Sequence, residues 1–165
     1  DALRRPRLMD AQGEFDPDAF HPDSDDAEGS PGIRIEVQHP SRTLPIERCH
    51  RVLKRVFVAE GVQPKRLTVV LADHDTVLDL NRRYLEHDYY TDVLAFDYGG
   101  PDRLEGEIYI DLDTAAERCD EYESAYEQEA LRYAVHGLLH LIGYSDKTPE
   151  EKTEMHELED RYLSG

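Results

Sequence analysis

The chain has little cysteine, little lysine and no long apolar run, and each scarcity narrows the kind of protein it can be. Its two cysteines, Cys49 and Cys119, are far apart and form no CxxC pair. They cannot supply a disulfide framework, so a reduced, cytoplasmic compartment is the simpler expectation. No stretch approaches the roughly 18 apolar residues that a membrane span needs, so we expect no membrane partner. Residues 1–10 are basic but are not followed by an apolar core, so we expect no signal peptide.

Acidic residues outnumber basic ones almost two to one. The 165 residues include 37 acids and 19 bases, which gives a formal net charge of −18. Only four of the bases are lysine, and the other 15 are arginine. A charge so far from zero favours solubility and keeps copies of the chain apart. A lysine-poor acidic surface also suits a salty cytosol, where counter-ions screen the repulsion, and this is a hypothesis about the cell.

The first 32 residues differ in composition from the rest. They are rich in Asp, Pro, Gly and Ser, and nine acids against three arginines give them a net charge of −6. Such a segment buries too little apolar surface to offset the entropy lost on ordering it. We therefore expect an acidic disordered tail over residues 1–32 and a single domain over residues 33–165.

Hydrophobic patterning in residues 33–165 predicts four strands and four helices. Alternating or β-branched runs predict the strands, and apolar residues at helical spacing predict the helices. In chain order the segments are the strand IRIEVQH, the helix LPIERCHRVLKRVFVAEG, the strand RLTVVLA, the helix DTVLDLNRRYLEHD, the strands TDVLAFDY and LEGEIYIDL, and the helices ESAYEQEALRYAVHGLLHLIGY and TPEEKTEMHELEDRYL. The last two strands flank the turn GGPDR, so residues 92–112 should form a hairpin. This order predicts an α+β domain, a small mixed four-stranded sheet packed with helices.

The stretch HGLLHLIGYSDK, residues 136–147, is the part of the chain with the clearest chemistry. His136 and His140 are four residues apart on a predicted helix, so both imidazoles face the same way, one turn apart. That spacing lets two imidazoles converge on one cation. Gly143 favours a helix stop, after which the chain can turn back and bring Asp146 within reach. Two imidazoles and one carboxylate leave positions open for water, which is typical of a catalytic metal site, here at the end of the long helix.

Alternatives to a metal site stay open at this point. Two histidines at this spacing also arise by chance, and a histidine on an apolar helix face is often a core residue with its hydrogen bonds satisfied. The residue after His136 is Gly137 instead of glutamate, so the general base of an HExxH metalloprotease is missing. Peptide hydrolysis is therefore disfavoured even where a metal binds.

Three ordered blocks of sequence resemble one known family. HGLLHLIGYSD resembles HGxLHLxGYDH, the signature of the YbeY-type metal-dependent endoribonucleases. LNRRYLEHDYYTDVLAFDY, residues 80–98, is similar to that family's LNxxYRxxDxPTDVLSF, and LEGEIYI, residues 104–110, resembles its GDIxI strand. The resemblance spans about residues 33–165, which is the whole of the predicted domain.

The resemblance implies a small α+β fold and one zinc-like ion held by three side chains near the end of the long helix. Family members cut single-stranded RNA, in 3′-end maturation of the small-subunit (16S) ribosomal RNA and in ribosome quality control. The implied partners are therefore single-stranded RNA, ribosomal RNA and the small ribosomal subunit.

The implied catalytic and metal-binding residues are His136, His140 and Asp146. Asp146 stands where the family has a third histidine, and Ser145 stands where it has aspartate. A carboxylate is a harder and more anionic ligand than imidazole. We therefore expect one divalent ion, zinc first, with manganese or iron as alternatives.

Arginines are the candidate RNA contacts, although the net charge opposes phosphate binding. Residues 42–83 carry a local net charge of +4. Within them Arg48, Arg51 and Arg55 form one helical stripe that would follow an RNA backbone toward the metal. A solvated helix face is the plainer alternative.

The family's arginine after the tyrosine is Leu85 in this chain. An arginine there would clamp phosphate oxygens with paired hydrogen bonds. Arg82 and Arg83 lie in the same helical turn and are candidate replacements.

The sequence identifies no general base and leaves two rival functions open. Glu107 and Asp88, in the family-like blocks, are candidates that a structural role explains at least as well. For Arg132 and Tyr133, one turn before His136, packing or solvent exposure is favoured over contact with metal or substrate. The remaining histidines have no ligand-spaced partner and are interpreted as ordinary: His39, His50, His74, His87 and His156. The rivals are a metallohydrolase of another substrate class and a ribosome-associated binding protein with a structural metal.

Overall fold

The computed structural model describes residues 32–85, 92–99, 103–119 and 123–164. Its elements follow the predicted order, with one additional short helix. They are β1 (Gly32–Val37), α1 (Ile46–Glu60), β2 (Pro64–Ala72), α2 (His74–Leu85), β3 (Val93–Asp97), β4 (Leu104–Asp111), α3 (Leu112–Arg118), α4 (Glu123–Ile142) and α5 (Pro149–Leu163). The predicted tail lies outside the described residues, except that Gly32 begins β1.

The four strands form one mixed sheet in the order β1-β2-β4-β3. β1 and β4 both run parallel to β2. β3 pairs antiparallel with β4, with Val93 opposite Ile110 and Asp97 opposite Gly106. The predicted hairpin, the mixed four-stranded sheet and the α+β class are therefore confirmed.

The two faces of the sheet bury different side chains. Because alternate residues of a strand point to opposite faces, Ile108 and Ile110 of β4 join the main core with α1, α4 and α5. Tyr109 points the other way and packs in a second cluster with Leu80 of α2 and Phe96 of β3. Helices α4 and α2 therefore lie on opposite faces of the sheet.

Gly137 allows α4 to approach the sheet closely. A Cβ atom at this position would lie 3.0 Å from Cγ2 of Ile108 and 3.3 Å from Cγ2 of Val93. Optimal carbon–carbon contacts are about 3.5–4.0 Å, so even a methyl group would crowd the sheet. The glycine after His136 therefore has a packing role, in addition to leaving the metalloprotease base absent.

The seven-residue helix α3 was not predicted. LEGEIYIDL was interpreted as one strand ending at Leu112, but β4 ends one residue earlier and α3 begins there. Asp111 Oδ1 accepts a hydrogen bond from the backbone N–H of Thr114 at 2.9 Å, which makes Asp111 an N-cap. The apolar pattern did not indicate this transition, because a buried residue such as Leu112 fits the end of a strand as well as the start of a helix.

None of the helices in the described part of the chain is long and apolar enough to cross a membrane.

Candidate metal centre

Helix α4 places His136 and His140 on one face, close to its C-terminal end. Their ring centroids are 4.6 Å apart and their planes meet at 74°. The helix closes at Gly143, whose N–H donates to the carbonyl oxygen of Leu139 at 3.1 Å. Gly143 has a φ of +131°, a conformation that glycine adopts readily. The predicted glycine stop is confirmed, and the chain beyond it turns back so that Asp146 lies beside both imidazoles.

Three ligand atoms converge at this point. The Nε2 atoms of His136 and His140 are 3.2 Å apart. Asp146 Oδ2 lies 3.5 Å from His136 Nε2 and 3.4 Å from His140 Nε2. A tetrahedral ion with bonds of about 2.0–2.1 Å spaces its ligand atoms about 3.3–3.5 Å apart, so the geometry and the donor types fit a divalent ion. Among the described residues, no other group of three metal-ligating side chains comes together in this way.

A buried carboxylate on α5 orients the first histidine. Glu159 is 5% exposed, and its Oε2 accepts a hydrogen bond from Nδ1–H of His136 at 2.7 Å. This contact turns the Nε2 lone pair of His136 toward the other ligand atoms. Arg132 holds Glu159 in turn, because its Nη1 donates to Glu159 Oε1 at 3.0 Å. Arg132 therefore contacts a residue that touches the centre, whereas packing or exposure was the favoured expectation.

Glu159 was not predicted from the sequence. The residue lies one helix beyond the histidines and carries no local spacing signal. Glu159 also stands within an acid-rich helix, where most carboxylates face solvent, so its burial appears only when α5 packs on α4. One signal for its burial was available in the sequence. The apolar spacing of α5 places this acid on the same helix face as buried residues such as Leu158 and Tyr162.

The surroundings move the pKa values of the two imidazoles in opposite directions. Burial works to lower the pKa of His136, but the hydrogen bond and charge of Glu159, helped by Asp146, outweigh it and hold the pKa above its ordinary value. Burial and the neighbouring His136 hold the pKa of His140 below its ordinary value. A metal binds the neutral imidazole, so His140 is ready for ligation, while at His136 an ion competes with a proton.

The loop that carries Asp146 is held on both sides. The Tyr144 hydroxyl donates to Glu60 Oε1 at 2.8 Å, which ties the start of the loop to α1. At its end, Thr148 Oγ1 accepts from Glu151 N at 3.1 Å, and Glu151 Oε1 accepts from Thr148 N at 3.1 Å. This reciprocal pair is a capping box at the start of α5. The Asp146 carboxylate, the third candidate ligand, is therefore held in place by the fold.

The arginine stripe of α1 is only partly open to solvent. Arg48 Nη2 donates to Gln128 Oε1 at 2.8 Å, and Arg55 Nη1 donates to the backbone carbonyl of Tyr162. These contacts tie α1 to α4 and α5. Arg51 is exposed, so it is the member of the stripe best placed to meet an RNA phosphate.

Arg82 and Arg83 are both exposed on α2. Arg83 Nη1 lies 3.4 Å from Asp79 Oδ2, and its guanidinium lies 5.2 Å from the ring centroid of Tyr84. Both arginines belong to the helix on the opposite sheet face from α4.

Of the two candidate general bases, Glu107 and Asp88, the structure describes only Glu107. Asp88 lies outside the described residues. Glu107 is buried and shares its sheet face with Tyr109, because the two are alternate residues of β4. The sheet therefore separates Glu107 from α4, and Glu107 does not act as a base at this centre. Tyr133 is buried in the main core, as expected.

Two of the histidines interpreted as ordinary stabilise the ends of the parallel strands. His39 Nε2 lies 2.8 Å from Asp113 Oδ1, and His74 Nδ1 lies 2.8 Å from Asp111 Oδ2. Both pairs connect the ends of β1 and β2 to the start of α3. His87 lies outside the described residues.

A small α+β domain with three converging ligands and coordination positions left for water is typical of the metal-dependent hydrolases. A model of the endoribonuclease YbeY family matches residues 35–165 of this sequence. The chain therefore belongs to the endoribonuclease YbeY family.

Individual relatives agree with that assignment. The chain is 50% identical over 141 residues to the endoribonuclease YbeY of Salinibacter ruber, covering 80% of this chain and 90% of that protein. It is 38% identical over 112 residues to the endoribonuclease YbeY of Bacteroides thetaiotaomicron, covering 68% and 82%. The solution structure of a Thermotoga maritima protein is similar with a TM-score of 0.58 at 30% identity, covering 79% of this chain and 86% of that one. The family resemblance predicted from three sequence blocks is confirmed.

Proposed function

We propose that this chain is a metal-dependent endoribonuclease that cuts single-stranded RNA. One observation carries the proposal: two imidazole Nε2 atoms and one carboxylate oxygen converge at 3.2–3.5 Å in a domain of the endoribonuclease YbeY family. Three ligands leave room for water and for a phosphate oxygen, whereas a structural zinc site is closed by four protein ligands.

His136, His140 and Asp146 act as the ligands of one divalent ion, with zinc expected first. Bound there, the ion supplies a Lewis acid for the phosphodiester and lowers the pKa of water. Glu159 is a positioning residue, because it holds the ring of His136 with Nε2 directed at the ion's position. The loop that carries Asp146 is held at both ends, and it keeps the carboxylate directed at the same position. Ion binding therefore requires little reorganisation.

The proposed substrate is the 3′ end of the small-subunit (16S) ribosomal RNA, and the proposed setting is maturation and quality control of the small ribosomal subunit in the cytoplasm. Family membership supports this assignment. A chain of net charge −18 repels RNA at long range, so binding depends on local arginines. The candidates are Arg48, Arg51, Arg55, Arg82 and Arg83.

The test combines elemental analysis of the purified protein with an assay on single-stranded RNA that carries a 16S 3′ end. We expect about one divalent ion per chain, and cleavage that stops with chelator and returns with zinc. His140→Ala and Asp146→Ala should abolish cleavage while melting at the temperature of the chelated wild type. His50→Ala, a matched histidine substitution on α1, should keep both the ion and the activity.

The rival functions give different results in the same experiment. A structural metal predicts that chelation and both ligand variants unfold the domain. A hydrolase of another class predicts peptide or other substrate turnover, with single-stranded RNA left intact. Cleavage that survives complete removal of the ion would refute the proposal itself.

A further inference from the structure

A cavity lies on the sheet face opposite the metal centre, beside α2. Its volume is about 460 Å³, which is within the range of about 300–1,000 Å³ usual for small-molecule sites. The strand register places Thr68 of β2 next to Glu107 of β4, and Val70 next to Tyr109. These four side chains form the floor, and Arg83 of α2 lies at the wall.

Glu107 has a hydrogen-bonding oxygen directed into this cavity. The side chain is 3% exposed. The hydroxyls of Tyr98 and Tyr109 both donate to the same oxygen, Oε1, at 3.2 and 3.4 Å. Oε2 accepts no hydrogen bond from the described part of the chain, although Glu107 lines the cavity. Oε2 therefore keeps acceptor capacity that a ligand N–H can use.

Charge selects what enters the cavity and in which orientation. Glu36, Asp79 and Glu107 all line it, so a phosphate is repelled from the floor and N–H groups are attracted to it. Among the described residues, the guanidinium of Arg83 lies 5.2 Å from the ring centroid of Tyr84 and pairs with Asp79 at 3.4 Å, an exposed contact that contributes little. Arg83 can therefore turn from this weak contact toward a phosphate at the rim, away from the acids of the floor. These acids do not come together as a metal-binding group among the described residues.

The floor also includes an aromatic ring, that of Tyr109, beside the acceptor. Tyr109 is held by an edge-to-face contact with Phe96, with ring centroids 5.8 Å apart and planes at 78°. Single-stranded RNA is recognised by bases that are splayed out, stacked on aromatic side chains and hydrogen-bonded along their edges. Carboxylates accept hydrogen bonds from exocyclic amino groups of bases.

We propose that this cavity is a nucleobase subsite for single-stranded RNA, in which Glu107 Oε2 accepts a hydrogen bond from an exocyclic amino group and Arg83 contacts the attached phosphate. The inference rests on the proposed function for its choice of RNA as the source of the base. Adenine, cytosine and guanine carry the amino group, and uracil does not. The subsite is separated from the metal centre by the sheet, so it binds substrate and takes no part in cleavage.

The test measures binding of 5′-AMP, 5′-CMP, 5′-GMP and 5′-UMP to the metal-loaded protein by calorimetry and by amide chemical-shift changes. Glu107→Gln keeps an oxygen for the two tyrosine hydroxyls but presents an NH₂ group where Oε2 was. We expect the amino-bearing nucleotides to bind at least about tenfold more tightly than 5′-UMP, and Glu107→Gln to remove that preference. Arg83→Ala should weaken nucleotide binding several-fold but leave the corresponding nucleosides unaffected. Glu105→Gln makes the same chemical change on β4 at a residue paired with Lys65, and it should alter nothing.

The outcome is separable from that of the cleavage assay. Nucleotide binding without RNA cleavage would retain the subsite and remove the proposed nuclease, and cleavage without nucleotide binding would do the reverse. On short RNAs, Glu107→Gln should raise KM and leave kcat unchanged. Equal affinity of wild type and Glu107→Gln for all four nucleotides overturns the inference. So does binding of an aliphatic diamine such as putrescine in the cavity with no nucleotide binding.

Discussion

Replacing Glu159 by glutamine should weaken metal binding without disturbing the ligands themselves. Both oxygens of Glu159 are used, Oε1 by Arg132 and Oε2 by His136 at 2.7 Å. Glutamine has one oxygen, so one of these two donors must face an NH₂ group. If the oxygen stays with Arg132, His136 loses the partner that fixes its tautomer and ring orientation.

The size of the effect follows from the kind of contact that is lost. The hydrogen bond is charge-assisted and buried, and such bonds contribute about 1.5–3 kcal/mol. Loss of a carboxylate that orients a metal-bound histidine typically costs about 10–100-fold in affinity, which corresponds to about 1.4–2.7 kcal/mol. The two ranges agree, so we expect the dissociation constant for zinc to rise by about 10–100-fold in Glu159→Gln.

The assay is competition for zinc against a chromophoric chelator at fixed pH, with the melting temperature of the metal-free protein as a stability control. Asp160→Asn is the matched variant, because Asp160 is the adjacent residue and accepts from the same arginine at 2.6 Å. It should keep the wild-type zinc affinity, since it does not touch His136. A dissociation constant for Glu159→Gln within twofold of wild type would refute the positioning role, and so would an equal loss in Asp160→Asn.

Four further predictions concern other parts of the molecule. Asp146→His restores the family's third imidazole, so the zinc-over-manganese affinity ratio, measured by competition, should rise at least about tenfold; an unchanged ratio would mean that Asp146 is not a ligand. Burial raises the pKa of Glu107 from 4.5 to about 7, so its contribution to stability is present below about pH 4.5 and is lost as the pH rises through 7. Urea unfolding of Glu107→Gln should therefore show a relative gain of up to about 3 kcal/mol between pH 4.5 and pH 8, and parallel profiles for the two proteins would contradict this. Thr148→Ala removes one half of the capping box and should cost about 1 kcal/mol in urea unfolding, whereas no cost would mean that the cap contributes nothing. Arg51→Glu should weaken RNA binding and reduce its dependence on salt, and an unchanged salt slope would exclude Arg51 from the RNA path.

Local patterns predicted the parts of the site that lie close together in sequence. His136, His140, Gly143 and Asp146 fall within eleven residues, so helical spacing and one glycine stop were enough to bring their side chains together. The hairpin and the last helix were predicted for the same reason. Each depends on residues that are neighbours along the chain.

Features that depend on packing between distant segments were not predicted. The partners of Arg48 and Arg55 are on α4 and α5, and no periodicity in α1 indicates which stripe residues will be tied down. Glu107 was excluded as a base because alternate residues of β4 point to opposite faces of the sheet, which puts Glu107 on the face away from α4. The alternation of Ile108, Tyr109 and Ile110 carried that signal, but only the placement of α2 and α4 assigns each face to a helix.

The tight approach at Gly137 also opposes one change of function that the sequence would otherwise allow. Converting this helix into the HExxH helix of a metallopeptidase needs only a glutamate after the first histidine, a short step in sequence. A Cβ atom at this position would lie 3.0 Å from Cγ2 of Ile108 and 3.3 Å from Cγ2 of Val93, so a glutamate there would require these side chains or α4 to shift. The packing of α4 on the sheet therefore opposes a glutamate base directly after His136 and favours chemistries whose base, if they need one, comes from another part of the molecule.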